Sequence, residues 1–167
     1  VVVYLMSELS RDLAVFVFAS TNDNGRDHIL YKNVPKNTVK IFVVGGCGFI
    51  GSNFIRMMLT KHPDVSILNF DKLTYSGNPD NVRDLSKNSR YTFVKGDVVR
   101  QASIKKAFKA FKPDYLINFA AETHVDKSIH VGSKEFVLTN VMGIFNLLEL
   151  VREFGVKNYV QVSTDEV

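Results

Sequence analysis

From residue 39 onward the chain alternates short apolar runs with stretches of helical periodicity, and few architectures accept that rhythm. The runs Lys40–Val44, Ser66–Phe70, Tyr91–Lys95, Tyr115–Phe119 and Tyr159–Ser163 are rich in β-branched or aromatic residues. Little charge interrupts them, as expected of strands covered on both faces. Helices are predicted between them over Phe49–Lys61, Asp80–Leu85, Ser103–Phe111 and about Lys134–Phe154, with Gly155 as a left-handed stop. Strands joined by helical crossovers give an α/β fold, a doubly wound parallel sheet whose ligands sit beyond the carboxyl ends of the strands.

With 167 residues, the chain divides into a segment 1–38 of unknown role and a unit 39–167 that carries this pattern. Segment 1–38 begins with valine, which implies that an upstream part of a gene product is missing or processed. Val1–Met6 and Leu13–Ala19 read as extra strands or as the tail of a preceding domain, and Asn22-Asp23-Asn24-Gly25 is a turn signal. At 46% apolar and 23% charged residues, the composition is that of a soluble globular protein and excludes a disordered or fibrous one. The seven residues of Leu13–Ala19 are too few to cross a bilayer, so no membrane partner is expected. One cysteine, Cys47, permits no internal disulfide, which fits a reducing, cytoplasmic setting.

The net charge of +4 lies entirely within residues 39–167. Between Lys87 and Lys112 there are eight Lys/Arg against Asp97 alone, a pattern that can mark a nucleic-acid surface. The plainer reading is preferred. In Ile104-Lys105-Lys106-Ala107-Phe108-Lys109-Ala110-Phe111 the apolar residues recur at helical spacing, which assigns the lysines to the wet face of an amphipathic helix.

The most informative motif is Gly45-Gly46-Cys47-Gly48-Phe49-Ile50-Gly51, between the first of these strands and its helix, with glycines at 45, 48 and 51. Without Cβ atoms a backbone can turn tightly and approach a pyrophosphate, whose charge meets free N–H groups and the positive end of the helix. A glycine cluster alone also serves ordinary tight turns. The addition that discriminates is Asp71, twenty residues past Gly51, where a carboxylate can accept from an adenosine ribose. Together they point to a Rossmann-type dinucleotide site.

Further segments sharpen this into a resemblance. Asp71-Lys72-Leu73-Thr74-Tyr75-Ser76-Gly77-Asn78, Gly96-Asp97-Val98, Asn118 to Asp126, Thr139-Asn140-Val141-Met142-Gly143 and Ser163-Thr164-Asp165-Glu166-Val167 resemble the dTDP-glucose 4,6-dehydratase branch of the extended short-chain dehydrogenase/reductase family. The resemblance covers nearly all of residues 39–167 and implies a truncated Rossmann-type domain. It implies an NAD-dependent lyase that oxidises a nucleotide sugar, dTDP-glucose or UDP-glucose, at C4, eliminates water across C5–C6 and returns the hydride to C6. By motif position Asp165 would be the general acid and Glu166 the base, with Thr164 hydrogen-bonding the sugar and Thr123 near both sugar and cofactor. Elimination needs one carboxylate to take a proton and one carboxylic acid to give one. A Thr-Asp-Glu run on its own would be a solvated loop. For the cofactor, the resemblance implies Gly45, Gly48, Phe49, Ile50 and Gly51 at the dinucleotide and Asp71, Lys72 and Thr74 around the adenosine. It also implies Asp97 and Val98 at adenine and Phe119, Ala120, Ala121, Glu122, Thr123 and Thr139 along the channel. A homodimer of the full-length parent is expected.

Departures are small: Val44 and Ile144 stand where the family often has threonine, and Cys47 where alanine is common. Cys47 near a helix N-terminus invites a lowered thiol pKa, but a small residue filling a tight loop is the better reading. His124 and His130 are six apart and lack a third ligand, so no metal is expected, and His28 and His62 read as surface residues. The family's Tyr-x-x-x-Lys pair does not occur before Val167. Tyr91 and Lys95 have the spacing but lie on an expected strand, where four residues span about 13 Å rather than one helical turn. The chain on its own is therefore expected to be inactive. Two other readings stay open: a non-catalytic dinucleotide-binding or scaffold protein, and another nucleotide-sugar epimerase or decarboxylase of the same family.

Overall fold

The computed structural model describes residues 2–5, 38–123 and 133–163. Six strands form one sheet: β1 (Val2–Leu5), β2 (Val39–Val44), β3 (Val65–Asp71), β4 (Tyr91–Lys95), β5 (Tyr115–Asn118) and β6 (Asn158–Ser163), in the order β1-β6-β5-β2-β3-β4. β2 to β6 are mutually parallel, and β1 adds antiparallel to β6, with Val3 opposite Val162. The doubly wound expectation holds. From β2 the chain winds outward through β3 to β4, then returns to place β5 on the other side of β2. The strand order reverses there, so a crevice opens at the carboxyl ends of β2 and β5.

β3 is buried at every position, which is why its sequence reads as a continuous run rather than an alternation. On the central strands successive side chains feed opposite layers. Phe42 and Val44 pack with Phe108, Leu147 and Leu150, whereas Ile41 and Val43 pack with Phe54, Ile55 and Met58. Helix α1 (Phe49–Lys61) covers the second face, and α2 (Gln101–Phe111) and α4 (Ile144–Phe154) cover the first. α2 buries Ile104, Ala107, Phe108 and Phe111 and exposes Lys105, Lys106 and Lys109, as its periodicity predicts.

Two helices differ from expectation. The segment Pro79–Lys87 is a 3₁₀ helix, fixed at its start by Asn78, whose side chain accepts from the Asp80 N–H at 2.9 Å, and bounded by i→i+3 bonds such as Asn88 N–H to Leu85 O. The long helix is composite: α3 (Ser133–Val137), a π-helical stretch (Leu138–Gly143) and α4, which ends at Gly155 with φ of 62° as expected. Val1–Met6 supplies β1 over Val2–Leu5, while Leu13–Ala19 lies outside the described residues. Tyr91 and Lys95 are the two ends of β4, and Tyr91 is buried with its hydroxyl on Asn69, so the spacing is structural. His62 is half-buried at the end of α1, its carbonyl accepting from Arg90, and His28 lies outside the described residues. No described helix is long and apolar enough to cross a membrane.

Candidate functional site

A cleft open to solvent lies at the carboxyl edge where the strand order reverses. Its floor begins at Val44 and Gly45. Gly45 adopts φ of 74°, and a Cβ there would meet the Ala120 N at 2.6 Å. The Gly45 N–H donates to the Phe70 carbonyl and that of Phe119 to Val44, so the ends of β2, β3 and β5 are drawn together under the loop. At the second tight position, a Cβ on Gly51 would lie 2.4 Å from the Gly45 carbonyl oxygen. Gly48 caps α1 without a side-chain bond, and the first turn of α1 carries no acidic residue, so no side chain of the helix itself opposes an anion there.

Asp71, at the end of β3, joins the glycine loop to the neighbouring wall. One carboxylate oxygen accepts the Cys47 N–H and the other the Leu73 N–H, each at 2.8 Å. Burial pushes its carboxyl above the ordinary range, and the two N–H donors pull it back. Acceptance through both oxygens is the pattern of the ionised form, and each oxygen keeps a further lone pair. Cys47 is fully buried: burial, reinforced by the Asp71 charge, raises its thiol pKa, opposite to the lowering that a helix N-terminus invites. It is the small residue that fills the loop.

Lys72 Nζ lies 2.9 Å from Asp97 and 3.6 Å from Glu135, and Asp97 also accepts the Val99 N–H. Ala120 donates its N–H to Asn118, which in turn bonds Gln161 of β6. Glu122 is held by both main-chain groups: its N–H donates to Asn140 Oδ1 and its carbonyl accepts from Asn140 Nδ2, each at 2.9 Å. Asn140 and the cleft-lining Thr139 both belong to the π-helical stretch.

Of the residues expected at a cofactor, Gly45, Gly48, Asp71, Lys72, Thr74 and Asp97 line this cleft, as do Val98, Phe119, Ala120, Ala121, Glu122 and Thr139. Phe49 and Ile50 open α1 beside it, Gly51 packs behind the glycine loop, and Thr123 follows Glu122 at an exposed position. Thr164, Asp165 and Glu166, with His124 and His130, lie outside the described residues. Val44, Phe70, Ser76, Gly77 and Gly96 also line the cleft, and the sequence reading assigns them no place at a cofactor. Val44 and Phe70 sit at strand ends, and the other three lie inside motifs whose neighbours were singled out.

Comparison with known proteins agrees with this geometry. A family model described as GDP-mannose 4,6 dehydratase matches residues 42–167. A probable dTDP-glucose 4,6-dehydratase of Sinorhizobium fredii is 41% identical over 138 residues, covering 77% of this chain and 39% of the relative. The dTDP-D-glucose 4,6-dehydratase of Mus musculus is 39% identical, covering 77% and 36%. Among solved structures, dTDP-glucose 4,6-dehydratase of Bacillus anthracis in complex with NAD superposes with a TM-score of 0.69 at 42% identity, over 78% of this chain and 39% of that one. UDP-glucose 4-epimerase of Thermus thermophilus, complexed with NAD, gives 0.62 at 29% identity, over 71% and 35%. The chain thus spans roughly two fifths of the length of the proteins it matches. With three quarters of its residues inside the matched region and the expected sheet beneath its glycine loop, this chain belongs to the GDP-mannose 4,6 dehydratase family, in the nucleotide-sugar dehydratase branch.

Proposed function

We propose that residues 39–167 form the dinucleotide-binding part of a nucleotide-sugar 4,6-dehydratase, with NAD in the cleft and dTDP-glucose or UDP-glucose as the sugar nucleotide. The observation that carries this reading is the buried Asp71 carboxylate beside a glycine loop with no room for a Cβ at Gly45 or Gly51. The names of the relatives favour dTDP-glucose. NAD, when bound, supplies the hydride acceptor and later the hydride donor. The chain's own groups bind and orient it. Gly45 and Gly48 keep the loop free of side chains, the start of α1 offers main-chain N–H groups to the pyrophosphate, and Asp71 offers its remaining lone pairs to the ribose hydroxyls. Ala120 and Ala121 leave a surface free of bulky side chains.

β6 is parallel to β5 and ends at Ser163, at the carboxyl edge of the sheet, immediately before Thr164-Asp165-Glu166 in sequence. In this reading Asp165 protonates the departing C6 hydroxyl, Glu166 takes the C5 proton, and Thr164 and Thr123 hold the sugar.

Asp71 disfavours a 2′-phosphate, and the charge of Lys72 is already met by Asp97 and Glu135. NAD⁺ should therefore bind more tightly than NADP⁺, measured by titration calorimetry. Asp71→Ala should cost about 1–3 kcal/mol of NAD⁺ binding and narrow the discrimination. Equal affinity of the unmodified chain for both cofactors would remove Asp71 from this role.

The partner of the assembled protein is a second copy. Val137, Val141, Phe145 and Leu148 follow one another at helical spacing along the composite helix and are 47–58% exposed, while Leu147 and Leu150 of α4 face the core. Phe145→Asp should shift the sedimentation profile from dimer to monomer; an unchanged profile would exclude this face.

A further inference from the structure

Asn146 breaks the pattern of the helix that carries it. α4 turns Leu147 and Leu150 into the core, and beside them stands a carboxamide that is only 7% exposed. Asparagine in a helix interior is a weak helix former, and burying its amide costs free energy unless the donors are met. Here they are met outside the helix. Nδ2 donates to the Val98 carbonyl at 2.9 Å and to the Val99 carbonyl at 3.2 Å, 48 and 47 residues earlier in the chain. An apolar side chain of that size could take the same space but hold neither carbonyl.

The segment that Asn146 grips is held at other points too. The Gly96 N–H donates to Asp71 O at 2.9 Å, and the Asp97 carboxylate accepts the Val99 N–H at 3.0 Å. On the helix side, a Cβ on Gly143 would lie 2.7 Å from Val98 Cγ2, so the valine side chain rests against the composite helix three residues before Asn146. Val98 belongs to the core, yet it lines the cleft. The surface it offers there is therefore set by the helix, which meets its side chain at Gly143 and its carbonyl at Asn146.

The place of this wall gives the contact a purpose. In the dinucleotide reading the pyrophosphate meets the start of α1, after β2, and Asp71 at the end of β3 takes a ribose. The same line continued across the sheet reaches the end of β4, where Gly96, Asp97 and Val98 line the cleft. The planar base is the part of the dinucleotide left to lie there. We propose that Asn146 is a positioning residue: from the core side it holds the Val98–Val99 main chain where it walls the base, and so sets dinucleotide affinity without touching the ligand. This rests on the dinucleotide reading above.

Titration calorimetry with NAD⁺ and with ADP, which carries the base, a ribose and the pyrophosphate but no nicotinamide, separates this role from a structural one. Asn146→Ala removes both bonds. It should weaken NAD⁺ about 5–20-fold and ADP by the same factor, because the lost ordering lies in the half that the two ligands share. A residue that served stability alone would lower the urea midpoint and leave both dissociation constants of the folded chain unchanged, a result that would overturn the proposal. A loss confined to NAD⁺ would also overturn it, by putting the effect at the nicotinamide end, as would an unmodified chain that binds NAD⁺ but not ADP. Gly143→Ala presses on Val98 at its other contact and removes no hydrogen-bonding group, so it decides the matter if Asn146→Ala does not fold. NAD⁺ and ADP should again weaken together, and unchanged binding would refute the wall. If the unmodified chain binds NAD⁺ and Asn146→Ala binds it equally well, the proposal fails and the dinucleotide reading stands. If the unmodified chain does not bind NAD⁺, that reading fails and the proposal falls with it.

Discussion

The two walls of the cleft are held by different physics. The glycine-loop wall is steric: Gly45 and Gly51 sit where main-chain atoms of neighbouring segments leave no space for a methyl group. The opposite wall, residues 118–123, is held by side-chain hydrogen bonds, from Asn118 within the sheet and from Asn140 across to the composite helix. A steric wall has one geometry and fails when it is overfilled. A hydrogen-bonded wall can loosen by degrees, which suits the side of a cleft through which a ligand passes. The first wall should therefore be brittle to single atoms and the second tolerant.

The largest effect should come from Gly51→Ala. Its Cβ would lie 2.4 Å from Gly45 O and 2.7 Å from Gly46 Cα, both main-chain atoms with no rotamer to yield. Urea unfolding should show a loss of about 3 kcal/mol, the upper part of the usual overpacking range. Gly48→Ala is the sharpening control. There the nearest contacts are 3.3 Å and 3.8 Å, so its cost should stay below about 1 kcal/mol. Equal costs at the two positions would break the claim that packing, rather than glycine content, defines this wall.

That wall was also the more legible in sequence. Spacing of glycines 45, 48 and 51 after an apolar run states a steric requirement directly, and Asp71 follows at the end of the next run. The parallel strands were legible because β3 and its neighbours are covered on both faces, and their boundaries moved by only a residue or so. The hydrogen-bonded wall was legible only as a resemblance. Asn118 and Asn140 sit inside recognisable motifs, but their partners are a glutamine 43 residues away and main-chain groups 18 residues away, and no local pattern encodes either distance. The π-helical stretch was invisible for a related reason: apolar spacing reads as helix whether or not a turn holds an extra residue. β1 is four residues long and has no amphipathic signature, so Val1–Met6 reads equally as an extra strand or as the tail of a preceding domain, and the antiparallel pairing with β6 decides for the strand.

Next in size should be Asn140→Ala, which removes both bonds to the Glu122 main chain. Those main-chain groups are partly buried, so each lost bond is incompletely replaced by water, and a total of about 1–2 kcal/mol in urea unfolding is expected. NADH binding should weaken while the chain still unfolds in one cooperative transition. A cost as large as that of Gly51→Ala would mean that the second wall is as brittle as the first.

The smallest effect should come from the polar tie behind the steric wall, where Arg56 of α1 donates two hydrogen bonds to Asp84 of the 3₁₀ segment at 2.9 and 2.7 Å. Arg56 also donates to the Asn81 carbonyl, and Asn81 in turn donates to Cys47 O, so the tie lies one step from the glycine loop. Hydrogen bonding from Arg56, supported by its charge, holds the Asp84 carboxyl below the ordinary carboxylate range. The sign of the pH dependence follows from that direction. A folded-state pKa below the unfolded one gives stability that is complete above the unfolded value, near about pH 4, and is lost as pH falls through the folded value. Both side chains are more than a third exposed, so solvent screens the pair and its worth at neutral pH is below about 1 kcal/mol. Unfolding free energies of the parent and Asp84→Asn should differ by that small amount at pH 7 and converge as the pH is lowered below the ordinary carboxylate range. A gap that widened on acidification would reverse the assigned direction. A gap approaching that of Gly51→Ala at pH 7 would show the glycine loop to be held by charge from behind rather than by the absence of room within it.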